Sequence, residues 1–221
     1  MAVFEREDIF HRLCFYSSVK HRLISRDDLM NTIIDGVDYG PLAQLLGRWT
    51  GNRGLDQAPD NQANMDESQF TDEMLFTVAG AAENAEEQNL VAVRYHHLVR
   101  RAETGLIFHD QIGHWLYEVK TGLVMHSLTI PRGVCVLAGG QLEESDGESV
   151  FQVEARAGSD TFGIVQSPFM FEKAKTNAFE MRMTVRGDEL NYRELTSLHI
   201  YGKDFEHVDH STLCRVCYDL D

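Results

Sequence analysis

Two hydrophobic rhythms divide the chain. Between Phe4 and Ile34 the apolar positions Phe4, Ile9, Phe10, Leu13, Tyr16, Val19, Leu23, Leu29, Ile33 and Ile34 return mostly at steps of three and four. That spacing gathers them on one side of a 3.6-residue turn and predicts one or two amphipathic helices. Ser25 followed by Asp27 and Asp28 reads as an N-cap with an acidic first turn. The stretch "DGVDYGP" (35–41) closes the region with turn-forming residues. The rhythm predicts a helical extension over residues 1–38 and a separate unit over 39–221.

From Pro41 onward the period shortens to two. In "FEMRMTV" the residues Phe179, Met181, Met183 and Val185 share one face, with Glu180, Arg182 and Thr184 opposite. "VRGDELNY" follows, a hairpin signal with Gly187-Asp188 between two β-type runs. Similar runs include "MLFTVAG", "LVAVRYHHLVRR", "GLIFHDQIGHWLYEV", "GLVMHSLTI", "VCVLAGG", "SVFQVEARAG", "ELTSLHIYG" and "STLCRVCYDL", with Gly-rich or acidic turns between them. About ten antiparallel strands with one wet and one apolar face make a barrel or a sandwich. The polar stretch "LDQAPDNQANMDESQ" (55–69) reads as a long surface loop or lid.

Composition narrows the partners more than the fold. A hydrophobic share of 43% suffices for a core, and a net charge of −15 argues against nucleic acid and anionic membrane surfaces. No apolar run approaches the roughly 18 residues of a membrane span. "MAVFEREDIFHRL" carries charges throughout, with no apolar leader core. The four cysteines do not form a secreted disulfide framework. The expected setting is a soluble, reducing cytoplasm.

The candidate chemistry sits in two clusters. "FEHVDHSTLCRVC" places His207, His210, Cys214 and Cys217 within eleven residues. Zinc needs all four ligands on one tetrahedron, yet strand parity puts His210 and Cys214 on one face and Cys217 on the other. His207 and His210 also differ in parity, so an unbroken strand turns at most one of them inward, and a hydrogen-bonding histidine at the rim is the plain alternative. The second cluster, "FHDQIGHWLYE", lines one face with His109, Gln111, Gly113, Trp115 and Tyr117. Aromatic surface with polar tips suits a pocket wall or a half-buried sheet face, and the glycine allows a close approach. His96 and His97 lie on opposite faces; Arg94 and Arg100 share the face of His96. Trp49, between Gly47 and Gly51, can plug one end of a barrel. No GxSxG, P-loop or HExxH motif is present.

The segments "GRWTGNRG" (47–54), "FHDQIGHWLYE" (108–118), "TIPRGVCVLAGG" (129–140), "GDELNY" (187–192) and "FEHVDHSTLCRV" (205–216) occur in an order that resembles the nitrobindin-like haem-binding barrels. Those proteins share a shape with the fatty-acid-binding proteins and lipocalins. The resemblance covers about residues 40–218. It implies an all-β fold, a ten-stranded antiparallel barrel, here with the N-terminal helical extension. It also implies haem ligated by a histidine near the last strand, with binding of nitric oxide and isomerisation of peroxynitrite in members that hold haem. Position by position, Gly47, Trp49 and Gly51 match the opening motif, Gln111 stands where the family has Glu, and His207 is the best-placed axial ligand, with His210 second.

The expected function is binding of a small hydrophobic ligand within the barrel, haem first, with His207 as metal ligand. Its wall would draw on His109, Gln111, Trp115, Tyr117, Trp49, Met170, Phe179, Met181 and Met183. The alternative is a non-catalytic carrier of a fatty acid or similar lipid, with Arg94 or Arg132 pairing its carboxylate. The extension would serve as a lid or a homodimer contact.

Overall fold

The computed structural model describes residues 31–216. Its first elements are β1 (Ile33–Ile34), β2 (Val37–Asp38) and a 3₁₀ helix (Gly40–Leu45), followed by β3 (Gly47–Pro59), β4 (Met65–Asn84), β5 (Gln88–Arg101) and β6 (Ile107–Glu118). Then come β7 (Leu123–Ile130), β8 (Val134–Ser145), β9 (Glu148–Arg156), β10 (Ile164–Gln166) and α1 (Pro168–Lys173). β11 (Ala174–Arg186), β12 (Glu189–Ile200) and β13 (Lys203–Arg215) complete the chain.

Neighbouring strands pair in the order β8, β7, β6, β5, β4, β3, β13, β12, β11, β9, and β9 pairs back onto β8. Ten antiparallel strands thus close a ring, which settles barrel against sandwich and leaves no free edge in the ring. The short β10 adds to β8 at Val134–Val136, beyond the stretch of β8 that pairs β9. Period-two parity holds as read: Phe179, Met181, Met183 and Val185 are buried, while Glu180 and Arg182 are exposed. Arg186 pairs Glu189, so Gly187-Asp188 forms the two-residue turn.

Two expectations are corrected. The helical pattern up to residue 30 lies outside the described residues, but Ile33 and Ile34 belong to a hairpin, paired with Asp38 and Val37. Asp35 and Gly36 adopt φ of 49° and 82°, the left-handed pair of a tight β-turn that a helix cannot continue. The segment 55–69 is no long loop: β3 runs to Pro59 and β4 resumes at Met65. Its polar residues are held by backbone pairing on both sides, and Asp60 ties the turn by accepting from the amides of Gln62 and Asn64, each at 2.8 Å.

One end of the barrel is closed. Leu42, Leu45, Leu46 and Trp49 are almost wholly buried there, and Trp49 Nε1 donates to Leu45 O at 2.7 Å. The Arg215 guanidinium lies 3.9 Å from the Trp49 ring centroid and donates to Gln44 O at 2.8 Å and Asp188 Oδ1 at 3.1 Å. The other end is looser. β5 and β6 pair as far as Ile107, but β6 and β7 pair only from Ile112 and Thr129 inward. The freed start of β6 faces the β7–β8 turn across a recess of about 390 Å³ that touches His109 and Arg132. α1 flanks the same end, since Ser167 N donates to Gly133 O.

Candidate ligand site inside the barrel

The interior has two walls of different chemistry. β7, β8, β9 and β11 turn mainly Val124, Val136, Ala138, Phe151, Val153, Phe179, Met181 and Met183 inward. β3, β4, β5, β6, β12 and β13 add Asp56, Asp72, His97, Gln111, Tyr192, Glu194, His207, Asp209 and Ser211. The expected greasy hollow is therefore mixed on this second wall, where the polar groups sit among Phe70, Phe76, Val93 and Leu213.

Register explains how the acids meet. Glu194 on β12 stands opposite Asp209 on β13, and Asp209 stands opposite Asp56 on β3. Three inward carboxylates thus occupy one row across three strands, an arrangement that like-charge repulsion disfavours. His207 lies two residues toward the open end on the same face of β13. Its Nε2 is 2.9 Å from Asp56 Oδ1 and 3.2 Å from Asp209 Oδ2. Burial alone would pull the imidazole pKa down, but the hydrogen bonds and charges of Asp209 and Asp56 push it up to about 10. His207 is then an imidazolium at neutral pH. Glu194 moves up to about 8, through burial first and the Asp209 charge second.

A second network lies nearer the closed end. Asp72 accepts from Tyr192 Oη and Ser211 Oγ, each at 3.0 Å, with His97 Nε2 at 3.4 Å. The two hydroxyl donors satisfy this buried carboxylate, with the His97 ring beside it. A Cβ on Gly51 would stand 2.3 Å from Asp72 Oδ1 and 2.8 Å from Ser211 Oγ, so the glycine makes room for the network. From the recess, His109 Nε2 reaches Gln111 Oε1 at 3.0 Å, and Gln111 donates to Tyr95 Oη at 2.6 Å. Burial first, then the charge of His97, lower the His109 pKa. Across the barrel, His126 stacks on Trp115 at 4.1 Å, fully buried, with neither ring nitrogen partnered among the described residues.

Residues 38–215 match the family model described as "THAP4-like, heme-binding beta-barrel domain". The chain belongs to this family. Among solved structures it is similar to Rv2717c from M. tuberculosis, at 20% identity and a TM-score of 0.60, covering 80% of this chain and 99% of that one. At that identity the likeness shows the fold. No curated protein matches the chain.

Against this THAP4-like framework the sequence-derived candidates separate. His207, His109 and Gln111 meet at the polar wall. His210 points outward, because it alternates with Asp209 and Ser211 on β13. Arg94 is likewise exposed on the outer face of β5, and Arg132 sits at the rim recess. Trp115, Met181 and Met183 are packed into the core, and Tyr117 and Trp49 lie toward the closed end, Tyr117 beside Gly40. Gly113 does admit a close approach, but by the β7 backbone: its Cβ would fall 1.8 Å from Ser127 O. Sequence reasoning passed over Asp56, Asp72, Glu194 and Asp209. Parity could have found three: Phe70, Asp72, Met74 and Phe76 share a face, as do Leu190, Tyr192 and Glu194, and as do His207, Asp209, Ser211 and Leu213. Asp56 was hidden in the segment read as loop.

Proposed function

We propose that the chain is a binding protein that admits a small cationic ligand through its open end and holds it against the polar wall. The observation that carries this reading is the inward row Asp56, Asp209 and Glu194 with the His207 imidazole against two of its acids. Buried charge is costly, and a barrel serving as scaffold alone is better filled with hydrocarbon. Surplus interior carboxylate is what a positively charged guest repays.

Haem, the ligand in the family's name, needs a neutral imidazole nitrogen facing iron. As arranged, His207 Nε2 is turned to Asp56 and Asp209 rather than to open space in the barrel. Axial ligation of haem iron by His207 would require that contact to open, and no step on nitric oxide or peroxynitrite is assigned to these residues. A fatty-acid carboxylate fits no better. Arg94 faces away, and Asp56 and Asp209 would repel the headgroup.

Thermal shift with matched ligands tests the reading: divalent and organic cations should raise Tm, and oleate should not. Ferric haem should give a broad absorption band that His207→Ala leaves unchanged. A sharp Soret band abolished by His207→Ala would overturn the reading in favour of haem.

A further inference from the structure

We propose that Asp56, His207 and Asp209 form a mononuclear site for a divalent first-row metal ion. This deepens the cation-binding reading and rests on it. The three side chains offer two carboxylate oxygens and one ring nitrogen, and one ligand atom from each lies within 4.8 Å of the others. Two ligand atoms at right angles around an ion with bonds of about 2.1 Å stand about 3.0 Å apart. The observed separations from Nε2, 2.9 Å to Asp56 and 3.2 Å to Asp209, match two edges of such a facial set, with the third pair of ligand atoms within 4.8 Å. An ion would take the position of the proton that Nε2 now shares with both oxygens, and that proton leaves to solvent on binding.

The surroundings supply an independent pointer. Glu194 is 8% exposed and directly faces Asp209 across the β12–β13 pair, with Gln111 as its hydrogen-bonding neighbour. A buried acid on the adjoining strand suits a cation with an outer ligand to spare. Mixed oxygen and nitrogen donors favour Mn²⁺, Fe²⁺, Co²⁺ or Zn²⁺ over Ca²⁺. The His207 and Asp209 side chains keep 28% and 22% exposure, so solvent reaches the set.

The test uses the full chain, stripped with chelator and titrated with Mn²⁺ under EPR detection. One ion per chain should bind, with at least tenfold weaker binding in Asp56→Asn and in Asp209→Asn. In the wild-type protein, pulsed EPR should show one imidazole nitrogen on the ion, a readout that does not depend on any variant folding. Equal binding by wild type and both variants would assign the ions to surface carboxylates and overturn the proposal, as would a spectrum without coupled nitrogen. If organic cations still protect the barrel and Asp209→Asn removes that protection, while Mn²⁺ fails, the metal site falls and the broader reading stands. If both fail, both fall.

Discussion

His126 shows what a single buried side chain does to the pH response. Burial first, then the charge of His97, push its pKa down to about 3, so the ring is neutral when folded. The unfolded chain binds a proton there near pH 6.5, and between about 6.5 and 3 it holds more protons than the native state. Stability from this group is therefore complete above pH 6.5 and falls toward pH 3, at up to about 1.4 kcal/mol per pH unit. His126→Phe keeps a ring against Trp115 and removes the titration. Urea midpoints from pH 7 to 4 should fall less steeply in the variant; an unchanged slope would place the acid sensitivity elsewhere. Gly51 makes the complementary point. Gly51→Ala should cost about 2 kcal/mol in urea unfolding, because the new Cβ displaces Asp72 or Ser211 from their hydrogen bond. In an Asp72→Asn background most of that cost should remain and the hydrogen-bond part should shrink, a coupling that a double-mutant cycle reads directly.

Among elements, the end of β13 decides how the barrel is sealed. Arg215, whose side chain is 6% exposed, stacks on Trp49 and binds carbonyls of the 3₁₀ helix and the β11–β12 turn. Arg215→Met keeps a flexible stem over the indole but leaves those carbonyls unpaired, so a loss of about 2–4 kcal/mol is expected. An equal loss in Arg215→Lys would show that the planar fork matters beyond its charge. This sealing was half legible in the sequence. Trp49 between glycines announced a plug, yet nothing local tied it to an arginine 166 positions later. The same limit governs the site. Alternation fixed which residues of β11, β6 and β13 turn inward, because parity is a local property. The meeting of Asp56 with His207 depends on strand register across the β13–β3 pair, which closes the ring between distant segments. A polar run such as 55–69 gave no sign of being a strand, since its pairing is supplied by its neighbours.

At the scale of the molecule, charge and aperture act together. The chain carries a net −15, and its surplus inward carboxylates lie toward the end where β6 and β7 part. Phe169 and Phe171 on α1, 68% and 60% exposed, flank that aperture with apolar surface, and Asp110 and Arg132 beside it carry opposite charges, so the summed field sets the attraction at the mouth. A summed negative potential draws cations over a distance set by the Debye length, about 30 Å at 0.01 M salt and about 8 Å at 0.15 M. The association rate of Co²⁺, followed by stopped-flow absorbance, should therefore fall by about tenfold between these ionic strengths. Dissociation should change little, because the bound ion would be shielded inside the barrel. Glu83→Lys with Glu87→Lys, near the β4–β5 turn at the closed end, should lower the rate at 0.01 M salt and leave it unaltered at 0.15 M. A rate indifferent to salt would mean that opening of the β6–β7 gap, and not the charge of the molecule, governs entry.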